Sequence, residues 1–250
     1  MDDLVLNSEI RSRLTSLTSQ QKKRDKLRAF GLKPSSKLLL VGPPGSGKTM
    51  TASAIAGDLH LPLFSVRLDT VITRFMGETA TKLRLIFDQI RSIRGVYLFD
   101  EFDALGGKRT ADNDVGEMRR VLNSFLQFLE EPNSTDSVVI AATNHPDLLD
   151  RALFRRFDEI VEYGMPDEDL IRQILGLRLG QFGFEDLVWA HISKFTEGLS
   201  QAELTRASED SIKQSILSGR QKISLEDLTT SLHRRRALRE TLLHLSEQTT

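Results

Sequence analysis

The sequence predicts an α/β protein, a parallel sheet with helices on both faces, followed by a smaller all-helical part. Three observations carry this. Strand-length apolar runs alternate with helical patterns through the first two thirds of the chain. A glycine-rich loop joins the first of those runs to the helical pattern after it. Beyond Pro166 the strand-like runs stop and only helical patterns remain.

Residues 7–30 come first. They are charge-rich, with Ile10, Leu14, Leu17 and Leu27 at mostly helical spacing. Gly31 and Pro34 then end any helix. The apolar runs 37–41, 62–68, 96–99, 137–142 and 159–163 read as strands. Between them, 49–59, 79–93, 116–129 and 148–153 read as helices. The stretches 167–182, 185–195, 200–218 and 224–245 read as four further helices. The expected division is therefore 1–165, with 1–35 as a helical lead-in, and 166–250. Two segments read as loops, 73–79 and 106–116. Both lack apolar periodicity, although the first carries the apolar pair Phe75 and Met76.

Composition narrows the function classes. With 34 basic and 35 acidic residues the net charge is −1, so no global basic field draws the chain to nucleic acid or anionic lipid. There is no cysteine, which excludes disulfides, thiolate catalysis and zinc–thiolate sites. There is no run of apolar residues long enough to span a bilayer and no apolar signal core behind Met1, so a cytoplasmic location is expected. The cluster His233–Arg236 with Arg239 reads as a solvated helix face, and Trp189 as core.

Gly42-Pro43-Pro44-Gly45-Ser46-Gly47-Lys48-Thr49 fits the G-x-x-x-x-G-K-[ST] pattern, with a strand before it and a helix, beginning Thr49-Met50, after it. Glycines let backbone N–H groups turn inward around phosphates, and the helix adds its positive end. Lys48, read as an exposed loop lysine, would reach the β- and γ-phosphates, and Thr49 would hold Mg²⁺. The run Val96–Phe99 ends in Asp100-Glu101. An apolar strand delivering carboxylates at its carboxyl end suits a metal contact from Asp100 and a base, Glu101, that polarises water. The alternative is a capping cluster in which Asp100, Glu101 and Asp103 start the next helix. Asn144 could orient water or touch the γ-phosphate, or form an Asx turn ahead of Pro146. Arg155 and Arg156 suit phosphate, or form a surface ion pair with Asp158 or Glu159.

With these residues in view, the chain resembles the AAA ATPases, the ring-forming branch of the P-loop fold, over nearly its whole length. Gly31–Pro34 looks like the family's lead-in, Ala141–Asn144 its sensor-1 strand, and Leu149–Asp158 its arginine-finger segment. Phe75-Met76-Gly77-Glu78 looks like its pore loop, and Gly198–Leu204 like the start of its lid helix. The resemblance implies a 5-1-4-3-2 sheet order and ATP with Mg²⁺ bound by residues 42–50. It implies that Arg155 and Arg156 act on a neighbour's nucleotide in a homo-oligomeric ring, a hexamer by family habit. It also implies that Phe75 and Met76 grip a threaded polypeptide. Leu4–Leu6 would pack on adenine, or form a short strand or staple. At the positions where many relatives carry a second-sensor arginine stand Gln201-Ala202; Arg206 lies one turn later.

The function so implied is ATP-driven remodelling or unfolding of protein, with a separately encoded peptidase or adaptor as partner. The alternative is an ATP-dependent switch or loader acting on DNA, which would share the site but not the aromatic pore loop.

Overall fold

The computed structural model describes residues 4–71, 76–105, 112–149, 151–180, 182–183 and 189–247. Phe75, expected in the pore loop, and residues 106–111 of the second loop lie outside these. The chain forms two compact units. One contains Leu6–Pro43 and Lys48–Tyr163; the other contains Leu4, Val5, Pro44–Gly47 and Gly164–Thr250.

In the first unit, α1 (Ser8–Lys22) and α2 (Arg24–Ala29) precede the sheet. The single helical pattern expected over 7–30 is thus two helices. Asn7 caps α1 by accepting the Ile10 N–H at 2.8 Å, the ordinary way to satisfy an orphan first-turn donor. The sheet comprises β1 (Lys37–Val41), β2 (Leu63–Arg67), β3 (Val96–Asp100), β4 (Val138–Thr143) and β5 (Glu159–Glu162), in the order β2-β3-β4-β1-β5. That is the expected 5-1-4-3-2 order read from the other edge. All four strand pairings are parallel, with Leu39 opposite Ala141 and Ile160 across the centre. The three inner strands are buried over most or all of their length, which is why they read as unbroken apolar runs rather than alternating ones.

Helices α3 (Lys48–Leu59), α4 (Leu68–Val71), α5 (Met76–Ser92), α6 (Asp112–Glu130) and α7 (Arg151–Phe154) link the strands. Three sequence expectations are corrected here. Residues 76–79 and 112–116, read as loop, open α5 and α6. A helix needs no apolar period of its own at its first turn, so a polar stretch can extend the amphipathic helix that follows it. The helix expected over 148–153 is instead a 3-10 turn at Pro146–Leu148 and the single turn α7. The main core is built from Leu39, Val41, Phe99 and Ala141 on the sheet and Phe87 and Phe125 on α5 and α6. Phe125 meets Phe99 and Phe87 edge-on at 5.0 and 5.3 Å, the offset arrangement aromatic rings favour.

The second unit holds α8 (Glu168–Leu179), α9 (Trp189–Thr196), α10 (Gln201–Leu217) and α11 (Leu225–Glu247). Its core joins Ile171, Ile174, Ile192, Leu204, Leu228 and Leu232, with Val5 packed against it. Leu4 is buried too, and neither residue is in a strand. Trp189, expected in the core, is only partly buried. It opens α9, donates its indole N–H to Glu168, and lies under the Arg172 guanidinium at 4.6 Å. A polar handle that needs a partner holds this ring at the edge.

Candidate nucleotide site

The site in the first unit is built where β1, β3 and β4 end. β1 delivers Gly42 and Pro43, and α3 begins at Lys48, so the loop between strand and helix is the glycine loop itself. Gly42 has φ 153°, and a Cβ there would lie 2.5 Å from the Tyr163 carbonyl oxygen. Only glycine permits that approach. Gly45 and Gly47 also take positive φ, 74° and 99°.

Lys48 is not the exposed lysine expected; it is 7% exposed. Its ammonium donates to the carbonyls of Gly42 (2.7 Å) and Pro43 (3.0 Å) and to Asn144 Oδ1 (2.8 Å). Burial pulls its pKa below 10.5, and the nearby Asp100 and Asp103 carboxylates work against that pull. The expectation failed because the loop turns the Gly42 and Pro43 carbonyls onto the lysine. Met50, one turn into the helix, is 44% exposed. Ser46 is buried.

Thr49 Oγ1 donates to Asp100 Oδ2 at 3.0 Å. Among the described residues, no group of three or more His, Asp or Glu is placed to hold a metal. A hydroxyl beside one carboxylate is nevertheless the sparse protein share that Mg²⁺ takes when phosphate oxygens and water complete its shell, so the residues fit that ion. Glu101 follows with φ 53°, a left-handed conformation uncommon for a residue with a side chain. Its N–H is held by Asp100 Oδ1 at 2.9 Å, while its own carboxylate is exposed. The structure does not make Glu101 a helix cap; the next turn, Phe102–Leu105, is a short 3-10 segment. Strain of about 1–3 kcal/mol at such a residue is tolerated when the fold over-determines it.

Asn144 forms no Asx turn. Its side chain is spent on Lys48, and the turn hydroxyl comes from Thr143, whose Oγ1 accepts the His145 N–H at 3.0 Å. Asp103 Oδ1 accepts both the Thr143 hydroxyl (2.8 Å) and the Asn144 N–H (3.2 Å). Asp103 thereby fixes the end of β4, a role the sequence did not reveal; only its place in the acidic cluster hinted at one. Tyr163 was missed altogether. Its hydroxyl sits 2.6 Å from Thr51 Oγ1 on α3, and burial pushes its pKa up to about 12. Arg155 and Arg156 are exposed beyond α7. Arg156 pairs with Glu130 rather than with Asp158 or Glu159, and Arg155 makes no ion pair among the described residues. Met76 begins α5.

The second unit contains the tip of the glycine loop, Pro44–Gly47, and the start of α10. The Ala202 N–H donates to the Gly45 carbonyl at 3.0 Å. A Cβ on Gly45 would lie 2.8 Å from Ser200 Oγ. Ser200 and Glu203 form a reciprocal capping box that holds this helix start. Arg206, one turn on, is exposed.

A parallel sheet ordered this way, with a glycine loop between β1 and α3 and carboxylates at the end of β3, defines a P-loop nucleoside-triphosphatase. Residues 38–165 match the sequence pattern of the "ATPase family associated with various cellular activities (AAA)". The chain belongs to that family, and ATP hydrolysis is its activity. It is 38% identical over 241 residues to an "uncharacterized AAA family ATPase" of Sinorhizobium fredii, covering 94% of this chain and 72% of that one. It is 33% identical to an "ATP-dependent zinc metalloprotease FtsH" of Lancefieldella parvula, over 92% of this chain but 37% of the relative. It is also 33% identical to a "proteasome-activating nucleotidase" of Saccharolobus islandicus, over 91% and 60%. The chain thus spans less than two thirds of the last two. Among the described residues no helix is long and apolar enough to cross a membrane.

Proposed function

We propose that this chain is the motor subunit of a homo-oligomeric ring, a hexamer, that uses ATP and Mg²⁺ to remodel or unfold polypeptides in the cytoplasm. Residues 1–165 act as the nucleotide-binding domain and 166–250 as its lid. The observation that carries the reading is the convergence of Lys48, Thr49, Asp100, Glu101 and Asn144 where the strands end. Residues 42–50 cradle the phosphates, and Lys48 exchanges its loop carbonyls for phosphate oxygens. Thr49 and Asp100 hold the cation, which supplies charge neutralisation on the phosphates. Glu101 takes a proton from the attacking water, and Asn144 orients that water. Arg155 and Arg156 reach the nucleotide of the neighbouring subunit, and Phe75 with Met76 grips the threaded chain.

A polypeptide substrate is supported over DNA by two relatives whose names denote a protease and an activator of one. The near-neutral charge points the same way, against nucleic acid as a partner. A separately encoded peptidase or adaptor is the matching partner. The test is ATP turnover with unfolded polypeptide or with DNA added. Stimulation by polypeptide is expected, together with loss of that stimulation in Phe75→Ala while basal turnover persists. Stimulation by DNA alone would favour the loader reading.

A further inference from the structure

We infer that Asp103 is a positioning residue for ATP hydrolysis: it ties the end of β4 to the turn that follows β3 and so sets Asn144 against Glu101. The inference rests on the roles proposed above for those two residues. It starts from where the sheet stops. On its β1 side, β4 is paired as far as Thr143, opposite Val41. On its β3 side the last rung is Phe99 opposite Ala141. Beyond that rung, among the described residues, no backbone pairing holds Thr143 and Asn144 to the strand that carries Asp100 and Glu101.

One oxygen of Asp103 closes the gap. Its Oδ1 accepts the Thr143 hydroxyl at 2.8 Å and the Asn144 N–H at 3.2 Å. The Thr143 hydroxyl in turn accepts the His145 N–H at 3.0 Å. Three donors of the corner therefore end, directly or through Thr143, on one carboxylate. Hydrogen bonds chained in this way strengthen one another. Asp103 is itself held. It lies in the 3-10 turn Phe102–Leu105, whose Phe102 and Leu105 are both fully buried. The Ala104 N–H closes that turn on the Glu101 carbonyl at 2.9 Å. Asn144 is thus tied to a residue two positions from Glu101, on one short turn anchored in the core.

The chemistry of hydrolysis gives this tie its use. Glu101 and Asn144 address the same water, one from the end of each strand, and a misplacement of about 1 Å can cost a reaction about 10²-fold. Asn144 Oδ1 meanwhile accepts from the Lys48 ammonium at 2.8 Å. Once phosphate oxygens take the lysine, the amide is released and its backbone alone keeps it in place. Asp103 holds that backbone. Its loss should slow the chemical step and leave nucleotide binding standing.

The experiment compares the parent with Asp103→Ala, Asp103→Asn, Asn144→Ala, and Asp103→Ala combined with Asn144→Ala. It measures kcat and KM for ATP, calorimetric affinity for a non-hydrolysable ATP analogue, and hydrogen exchange at the Asn144 amide without nucleotide. Asp103→Ala should lower kcat by about 10–10²-fold, leave KM and analogue affinity within about threefold, and deprotect the Asn144 amide. Asp103→Asn keeps an acceptor oxygen and should restore most of the turnover and of the protection. In the Asn144→Ala background, Asp103→Ala should cost little more, because it acts through that residue. Asp103→Asn as slow as Asp103→Ala, fully multiplicative losses in the double variant, or analogue affinity falling in step with kcat would each overturn the inference. Should Asp103→Ala fail to fold, Thr143→Val cuts the same tie from the other side. It should show the same split between kcat and KM, and parent-like kcat there would count against the tie. Parent-like turnover in Asn144→Ala would sink the reading of Asn144, and this one with it. A slow Asn144→Ala beside a parent-like Asp103→Ala would sink this one alone.

Discussion

The two ends of the sheet in the first unit use the same residue types to opposite effect. At the amino end three polar side chains are tied into the backbone or into ion pairs. Asp158 accepts the Ser36 and Lys37 N–H groups at 2.8 and 3.0 Å. Ser137 caps the Ile90 and Ile93 carbonyls. Asp136, with φ 55° and buried, is held by Arg28 at 2.8 Å and approached by Arg24 at 3.8 Å. At the carboxyl end, Glu101 takes nearly the same backbone angle, 53°, yet its carboxylate is exposed with no partner among the described residues. A strained acidic residue closed by arginines is a structural joint. One left open is available for chemistry.

The sharpest break in this comparison is Glu101→Gln, which keeps shape and removes the base. Turnover should fall by about 10²–10⁴-fold while ATP binding and melting temperature hold, because no intramolecular bond is lost. Parent-like turnover would make Glu101 as structural as Asp136.

Lys48→Ala should act on both function and stability. Losing a cation from the phosphates should weaken ATP at least about tenfold in a calorimetric titration. Unlike Glu101, Lys48 also satisfies the Gly42 and Pro43 carbonyls, so denaturation should show a loss of about 1–3 kcal/mol. Unchanged stability would mean that water replaces the ammonium freely.

At the other end, Asp136→Asn keeps a residue that tolerates positive φ but removes the charge between the arginines. Stability should fall by about 1–2 kcal/mol, read from urea midpoints, with turnover per folded molecule unchanged. A selective loss of turnover would show that the amino end is not merely structural.

The smallest effect is a pH dependence. The Tyr163 hydroxyl ionises near 10 in an unfolded chain but only at about 12 in the fold, because burial disfavours the phenolate. Folding therefore favours the protonated form. That stability is complete below pH 10 and is lost as pH rises towards 12. Burial raises Tyr97 in the same direction. Tyr163→Phe should flatten part of the slope in melting temperature and cost about 1 kcal/mol at neutral pH, since the hydrogen bond between the two hydroxyls is lost.

Local chemistry was legible along the chain. Apolar runs with buried faces on both sides had to be inner strands. Gly42, Gly45 and Gly47 had to turn a backbone no other residue could follow, and Asp100-Glu101 had to stand at a strand end. The family was recognised from those motifs, and the sheet order was implied by that resemblance. What lay outside reach were partners distant in sequence. Asp103 and Thr143 are 40 residues apart, and Tyr163 and Thr51 are 112 apart. No period or motif ties such pairs together, because a side-chain hydrogen bond leaves no trace in spacing.

By itself, then, the sequence determined the five strands and most of the helices, and it marked the glycine loop and the carboxylates at the end of β3. These depend on neighbouring residues and on the steric rules of the backbone. Only the tertiary structure decided that Lys48 is buried, that Arg156 is paired with Glu130, and that Glu101 is strained and open while Asp136 is strained and closed. Burial and pairing depend on which elements pack together, and packing is a property of the whole fold rather than of any stretch of chain.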